Sequence, residues 1–136
     1  MLFRSETKVR LAKDGKTATA WLTSCYENQY FGAKQGVGLI VKLSGPAQGV
    51  LHLTFPGTPW NVDVYTADRP GAAMKDWGKP VAQDASRKTS EVSIVMNRTD
   101  QFVLLMLREV ARDKGCSSAN PFRGGFSEIS FGPAQG

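Results

Sequence analysis

The sequence predicts an all-β protein of jelly-roll type, and three observations carry that prediction. Apolar residues alternate with polar ones at period two along most of the chain. Turn-forming Gly, Pro, Asn and Asp punctuate the alternation at short intervals. No window of about eleven residues places its apolar positions at helical spacing. Many short strands separated by such turns build a two-sheet sandwich. The 136 residues are 41% hydrophobic, enough for one domain with its own core.

Taken in order, the first strand lies around Val9 and Leu11 and is followed by the turn Asp14-Gly15. Val37, Leu39, Val41 and Leu43 alternate with Gly38, Ile40 and Lys42, giving a strand with one core face. Ser44-Gly45-Pro46 closes it, and Leu51, Leu53 and Phe55 alternate with His52 and Thr54 in the next. After Pro56-Gly57-Thr58-Pro59, Val62 and Val64 stand between Asn61, Asp63 and Tyr65. Residues 72–77 allow a helical turn and no more. Val92, Ile94 and Met96 mark another strand, closed by Asn97-Arg98-Thr99-Asp100. Phe102 to Leu107 is apolar on both faces, as suits a central strand covered from both sides. Ile129 and Phe131 make the last strand. The long connections are 68–79 and 110–125, and neither repeat nor linker divides the chain.

Charge and cysteine content narrow the functions. Seventeen Lys and Arg against twelve Asp and Glu leave a net charge of +5, but the cations are scattered and no strand face carries stacking aromatics, so nucleic acid is not expected as a partner. The longest apolar run, Phe102 to Leu107, is far short of the ~20 residues that cross a bilayer, so the chain carries no transmembrane segment. Met1-Leu2-Phe3-Arg4-Ser5 turns polar too soon for a secretory signal, which leaves a cytosolic protein or a piece of a larger one. Cys25 and Cys116 have no Cys-x-x-Cys partner and no neighbouring histidine, so zinc is not expected. Both sit among loop residues. They join two loops or stand as separate thiols, and the disulfide, which implies an oxidising compartment, is the preferred reading.

Catalytic residues are not expected. His52 is the single histidine and faces away from the core side of its strand, with no Ser, Cys or Asp at a recognisable spacing. The carboxylates do not pair as acid and base. Aromatics in loops stand out instead: Tyr26, Tyr30 and Phe31 after Trp21, then Trp60, Trp77 and Phe122. Near Asn28, Gln29, Lys34 and Arg123 such rings are expected to offer a sugar-binding surface, because a pyranose presents C–H groups to a ring and hydroxyls to polar side chains. The competing reading has each ring plugging an end of the sandwich.

Asp14-Gly15-Lys16-Thr17-Ala18-Thr19-Ala20-Trp21 resembles the Asp-Gly-x-x-x-Thr-x-Trp signature of discoidin-like jelly rolls, the coagulation factor type C domains that include many carbohydrate-binding modules. The order of the later strands, Asp76-Trp77 and Ser127-Glu128-Ile129 is similar too, over nearly the whole chain. The stretches 30–39 and 123–129 are also similar to the extracytoplasmic C-terminal domain of actinobacterial lipid II flippases of the MurJ (MviN) type. Several modules of the wider group bind a structural calcium through positions that the resemblance matches to Asp14, Thr19 and Glu128. Lys16 replaces a commonly acidic residue and repels a cation, so no metal and no cofactor are expected. The resemblance assigns Trp21 to the core.

The resulting expectation is a non-enzymatic, extracytoplasmic module of residues 1–136, excised from a larger membrane protein and binding a glycan or cell-wall polymer. Its contacts are Tyr26, Tyr30 and Phe31, with Trp60 and Trp77 as alternative platforms and Lys34, Arg98 and Arg123 supplying hydrogen bonds or charge. The alternative is a regulatory or interaction domain that contacts a membrane-protein partner and has no sugar affinity.

Overall fold

The computed structural model describes residues 5–11, 21–31, 36–43, 45–69, 71 and 74–132, and for 5–11, Trp21 and Met74 the backbone alone. Ten strands follow one another: β1 (Ser5–Leu11), β2 (Trp21–Leu22), β3 (Val37–Leu43), β4 (Gln48–Thr54), β5 (Trp60–Ala67), β6 (Ala82–Ser86), β7 (Glu91–Asn97), β8 (Phe102–Glu109), β9 (Gly125–Phe126) and β10 (Glu128–Gly132). A single 3-10 turn, Met74–Trp77, is the helical content among the described residues.

Five strands form one sheet in the order β1-β3-β8-β5-β6, three form the facing sheet in the order β10-β4-β7, and β2 pairs with β9. All pairings are antiparallel except β1 with β3, which run parallel. From β3 onward the chain crosses repeatedly between the layers, the wrapping of a jelly-roll β-sandwich. The domain is all-β, as the alternation predicts.

The core fills the space between the layers. Val37, Leu39, Val41 and Leu43 of β3, Val62 and Val64 of β5, and Val103, Leu105 and Leu107 of β8 meet Leu51 and Leu53 of β4, Ile94 and Met96 of β7, and Ile129 and Phe131 of β10. Burying one such side chain contributes roughly 1.5–3 kcal/mol. β8 is apolar on its other face as well, because Leu104 and Met106 join Ile40, Tyr65 and Trp77 in a second cluster outside the five-stranded sheet. On that outer face Arg108 Nε donates to Asp63 Oδ2 at 2.9 Å, Arg108 Nη2 to Tyr65 Oη at 2.9 Å, and Gln83 Nε2 to Asp63 Oδ1 at 3.0 Å. The network explains how Asp63 is buried without being left unpaired.

Candidate functional site

The loops at 23–31 and 110–124 meet at one end of the sandwich, and their sequences explain why they hold together. Cys25 and Cys116, 91 residues apart, are joined by a disulfide. Tyr26 and Phe122 exchange backbone hydrogen bonds, Tyr26 N to Phe122 O at 2.6 Å and Phe122 N to Tyr26 O at 3.0 Å. Thr23 N donates to Gly124 O, and Gly124 N donates back to the Thr23 hydroxyl. Gly124 is required there, since a Cβ would lie 2.1 Å from Val110 Cγ1. Val110 N donates to Gln29 O, and Gln29 Nε2 reaches Glu109 Oε2 at 2.8 Å.

Within this frame Asn28 bends the chain. Its Oδ1 accepts from Tyr30 N at 2.7 Å and its carbonyl from Phe31 N at 3.1 Å. Phe31 follows with φ +67, a conformation a bulky residue rarely adopts. The turn sends the two neighbouring rings opposite ways: Tyr30 is 52% exposed and Phe31 is 4% exposed. Phe31 meets Tyr26 edge to face, with ring centroids 4.9 Å apart. Beside them lies an open cleft of about 470 Å³, lined among the described residues by Tyr26, Glu27, Asn28 and Phe31. Ring edges, an amide and a carboxylate thus share one surface on an anchored loop.

Charges on the opposing loop are ordered. Arg123 Nε donates to Asp113 Oδ2 at 3.0 Å and Gly115 N to Asp113 Oδ1 at 2.7 Å. These two hydrogen bonds hold the Asp113 carboxyl below its ordinary range, the Arg123 contact being the larger cause. The Arg112 guanidinium sits 5.1 Å from the centre of the Phe122 ring.

The predicted contacts therefore separate. Tyr26, Tyr30 and Phe31 share one loop, but Phe31 is buried and serves as a plug. Trp60 is corrected likewise: it is 2% exposed, stacks on Phe55 at 3.9 Å between centroids, and donates Nε1–H to Thr89 O at 2.7 Å. Trp77 is 4% exposed and covers the outer face of the five-stranded sheet. A ring with both faces covered offers no platform to a sugar. Arg123 is committed to Asp113, and Arg98 lines a different groove, with Trp77. Lys34, and Asp14, Lys16 and Thr19 of the calcium pattern, lie outside the described residues, as does the Trp21 side chain; Glu128 is exposed on β10. Sequence reasoning passed over Glu27, Arg112 and Asp113. Asp113 precedes Lys114-Gly115, a turn signal that marks it as a loop carboxylate without revealing its arginine.

His52 stands on the exposed face of β4, where Nδ1 lies 2.7 Å from Ser93 Oγ. No group of three or more His, Cys, Asp or Glu is placed to hold a metal among the described residues. No helix there is long and apolar enough to cross a membrane.

No protein-family model matches the chain, and no curated protein matches it. Among solved structures it is similar to the cleaved adhesin domain of Lys-gingipain from Porphyromonas gingivalis, with 14% identity and a TM-score of 0.51 over 82% of this chain and 71% of that one. Similarity at that level bears on the fold, and it agrees with the β-sandwich described above.

Proposed function

We propose that this domain is a non-catalytic binding module of the cell envelope that takes a glycan, specifically a cell-wall polymer related to peptidoglycan. The observation that carries the reading is Tyr30. It projects from a turn fixed by Asn28, on a loop anchored by the disulfide and by paired backbone hydrogen bonds, beside a cleft lined by Tyr26, Glu27 and Asn28. Rigid amphipathic rings beside short polar side chains bind sugars at little entropic cost, because the loop is ordered before the ligand arrives.

The name of the structural neighbour, an adhesin domain of gingipain, supports a binding role without chemistry. The disulfide is compatible with an extracytoplasmic position. The cell-wall assignment rests on the resemblance of residues 30–39 and 123–129 to the extracytoplasmic domain of MurJ-type flippases, and an anionic wall polymer suits the net charge of +5. The test is co-sedimentation of the purified domain with insoluble peptidoglycan at low and high salt, beside a neutral polysaccharide. Retention that survives high salt and is lost in Tyr30→Ala is the expected result. Retention that vanishes with salt reduces the interaction to charge attraction. No retention on either polymer overturns the glycan reading in favour of a protein partner.

A further inference from the structure

A second surface lies on the side of the sandwich where β6 and β7 are the outermost strands. Five strands face three, and between these two edges runs an open groove of about 470 Å³. The register fixes which backbone groups border it. Phe55 N donates to Ser90 O at 2.7 Å and Arg98 N to Ala47 O at 2.9 Å, and both pairs continue the β4–β7 register. Bonded and non-bonded pairs alternate in an antiparallel ladder. The N–H and C=O groups of Val92, Ile94 and Met96 therefore face β4, while those of Ser93, Val95 and Asn97 point outward along an edge that no strand covers among the described residues.

Along that edge Glu91, at the start of β7 and away from Lys79 and Arg98, is the one charged side chain of the strand. No proline interrupts it, and the side chain at its middle, Val95, is 77% exposed. Ala82, Ile94 and Met96 give the groove an apolar floor. Among the described residues its charged lining consists of Lys79 and Arg98, with no carboxylate. Arg98 reaches Asp100 only at 3.9 Å with its side chain 53% exposed, and the Asp100 carboxylate already accepts from the Thr66 hydroxyl.

We propose that this edge receives an extended acidic peptide of a partner protein, added to β7 as a fourth strand of the three-stranded sheet. The peptide main chain pairs with Ser93, Val95 and Asn97. Its alternate side chains enter the groove over Ala82, Ile94 and Met96, and acidic residues at its end meet Lys79 and Arg98. A second copy of this chain is the poorer occupant, because two cationic grooves on molecules of net charge +5 repel each other.

The probe is a set of capped peptides of the pattern Glu-Glu-x-Thr-x-Thr-x-Glu, with x as Val, Leu or Phe, titrated into isotope-labelled domain at low salt. At least one peptide is expected to shift the amide resonances of Ser93, Val95 and Asn97 saturably. Affinity is expected to fall about tenfold or more, the equivalent of one or two net hydrogen bonds, when the amides facing β7 are N-methylated. The same loss is expected in Asn97→Pro, which removes an outward N–H and no ladder bond, and in the Lys79→Glu, Arg98→Glu double variant. Thermal melts establish that each variant is folded. Tyr30→Ala is expected to bind the peptides normally, which separates this surface from the glycan site. Absence of saturable shifts at β7 up to millimolar peptide overturns the proposal, as does undiminished binding of the N-methylated peptide. Occupation of the groove by polygalacturonate with no peptide binding also overturns it, and assigns the groove to an acidic polysaccharide.

Discussion

Replacing Tyr30 and Phe31 one at a time by alanine separates ligand contact from architecture at adjacent positions. Phe31 is 4% exposed and packs edge to face on Tyr26, so Phe31→Ala removes a buried ring from a fixed loop. Such truncations cost about 3–5 kcal/mol, and the aromatic pair contributes ~0.5–1.5 kcal/mol beyond area alone. The left-handed backbone at φ +67 remains strained for alanine, so no relief offsets the loss. With an unfolding entropy of ~2.1 cal/mol/K per residue, a chain of this length loses about 3.5 °C of Tm per kcal/mol, so a drop of roughly 14 °C is expected. Tyr30 is 52% exposed and its backbone N–H, not its ring, is held by Asn28. Tyr30→Ala should therefore stay within about 0.5 kcal/mol of the parent, a shift of under about 2 °C. Thermal melts by circular dichroism, run beside peptidoglycan co-sedimentation, give both readouts. A Tm loss in Tyr30→Ala comparable to that in Phe31→Ala would show that both rings are plugs, and the binding argument would fail.

Three further outcomes follow from the same end of the molecule. Cys25→Ser with Cys116→Ser opens a cross-link spanning 91 residues, which the chain-entropy model values at about 4–5 kcal/mol, and reductant should lower the Tm of the parent but not of the variant. Gly124→Ala sets a Cβ against Val110 and should cost ~1–3 kcal/mol in urea unfolding, with Val110→Ala making the double variant more stable than the two single losses sum to; strict additivity would mean the loops yield without strain. The Asp113 carboxyl is held below its ordinary range, so its link to Arg123 contributes stability that is complete above that ordinary range and is lost as pH falls through the depressed value. The urea midpoints of the parent and Asp113→Asn should differ at neutral pH and converge in acid; a constant gap across that range would remove Asp113 from the titration.

The strands that bury one face were legible because their alternation is complete: β4, β7 and β10 each show it, whereas β3, expected to have one core face, is buried on both because Ile40 joins the outer cluster. β6 escaped because Ala82-Gln83-Asp84-Ala85-Ser86 is an exposed edge with little to bury, so it carries no apolar period. β2 and β9 escaped because two residues set no period. Trp60 was readable in hindsight, since it continues the inward phase of Val62 and Val64 once β5 starts at its own position. Phe31 was not, because its direction depends on a left-handed turn that composition does not encode. The site is less legible than the fold for the same reason: Cys25, Tyr26, Cys116 and Phe122 meet through the closing of the sandwich, and nothing local announces which loops become neighbours.

The strand order also constrains how the chain is made. β8 lies between β3 and β5 in the larger sheet, so neither flank closes until Phe102–Glu109 has been synthesised. β4 waits longer still for one neighbour, since β10 ends at Gly132. Only β5 and β6 are both consecutive and paired. A nascent chain can pair β1 with β3, β5 with β6 and β4 with β7 before β8 appears, but β3, β4 and β5 each lack a neighbour, so a ribosome stalled there holds a polypeptide with open apolar edges. Such intermediates are substrates for holding chaperones, and truncation from the C-terminus is expected to abolish folding all at once rather than by degrees.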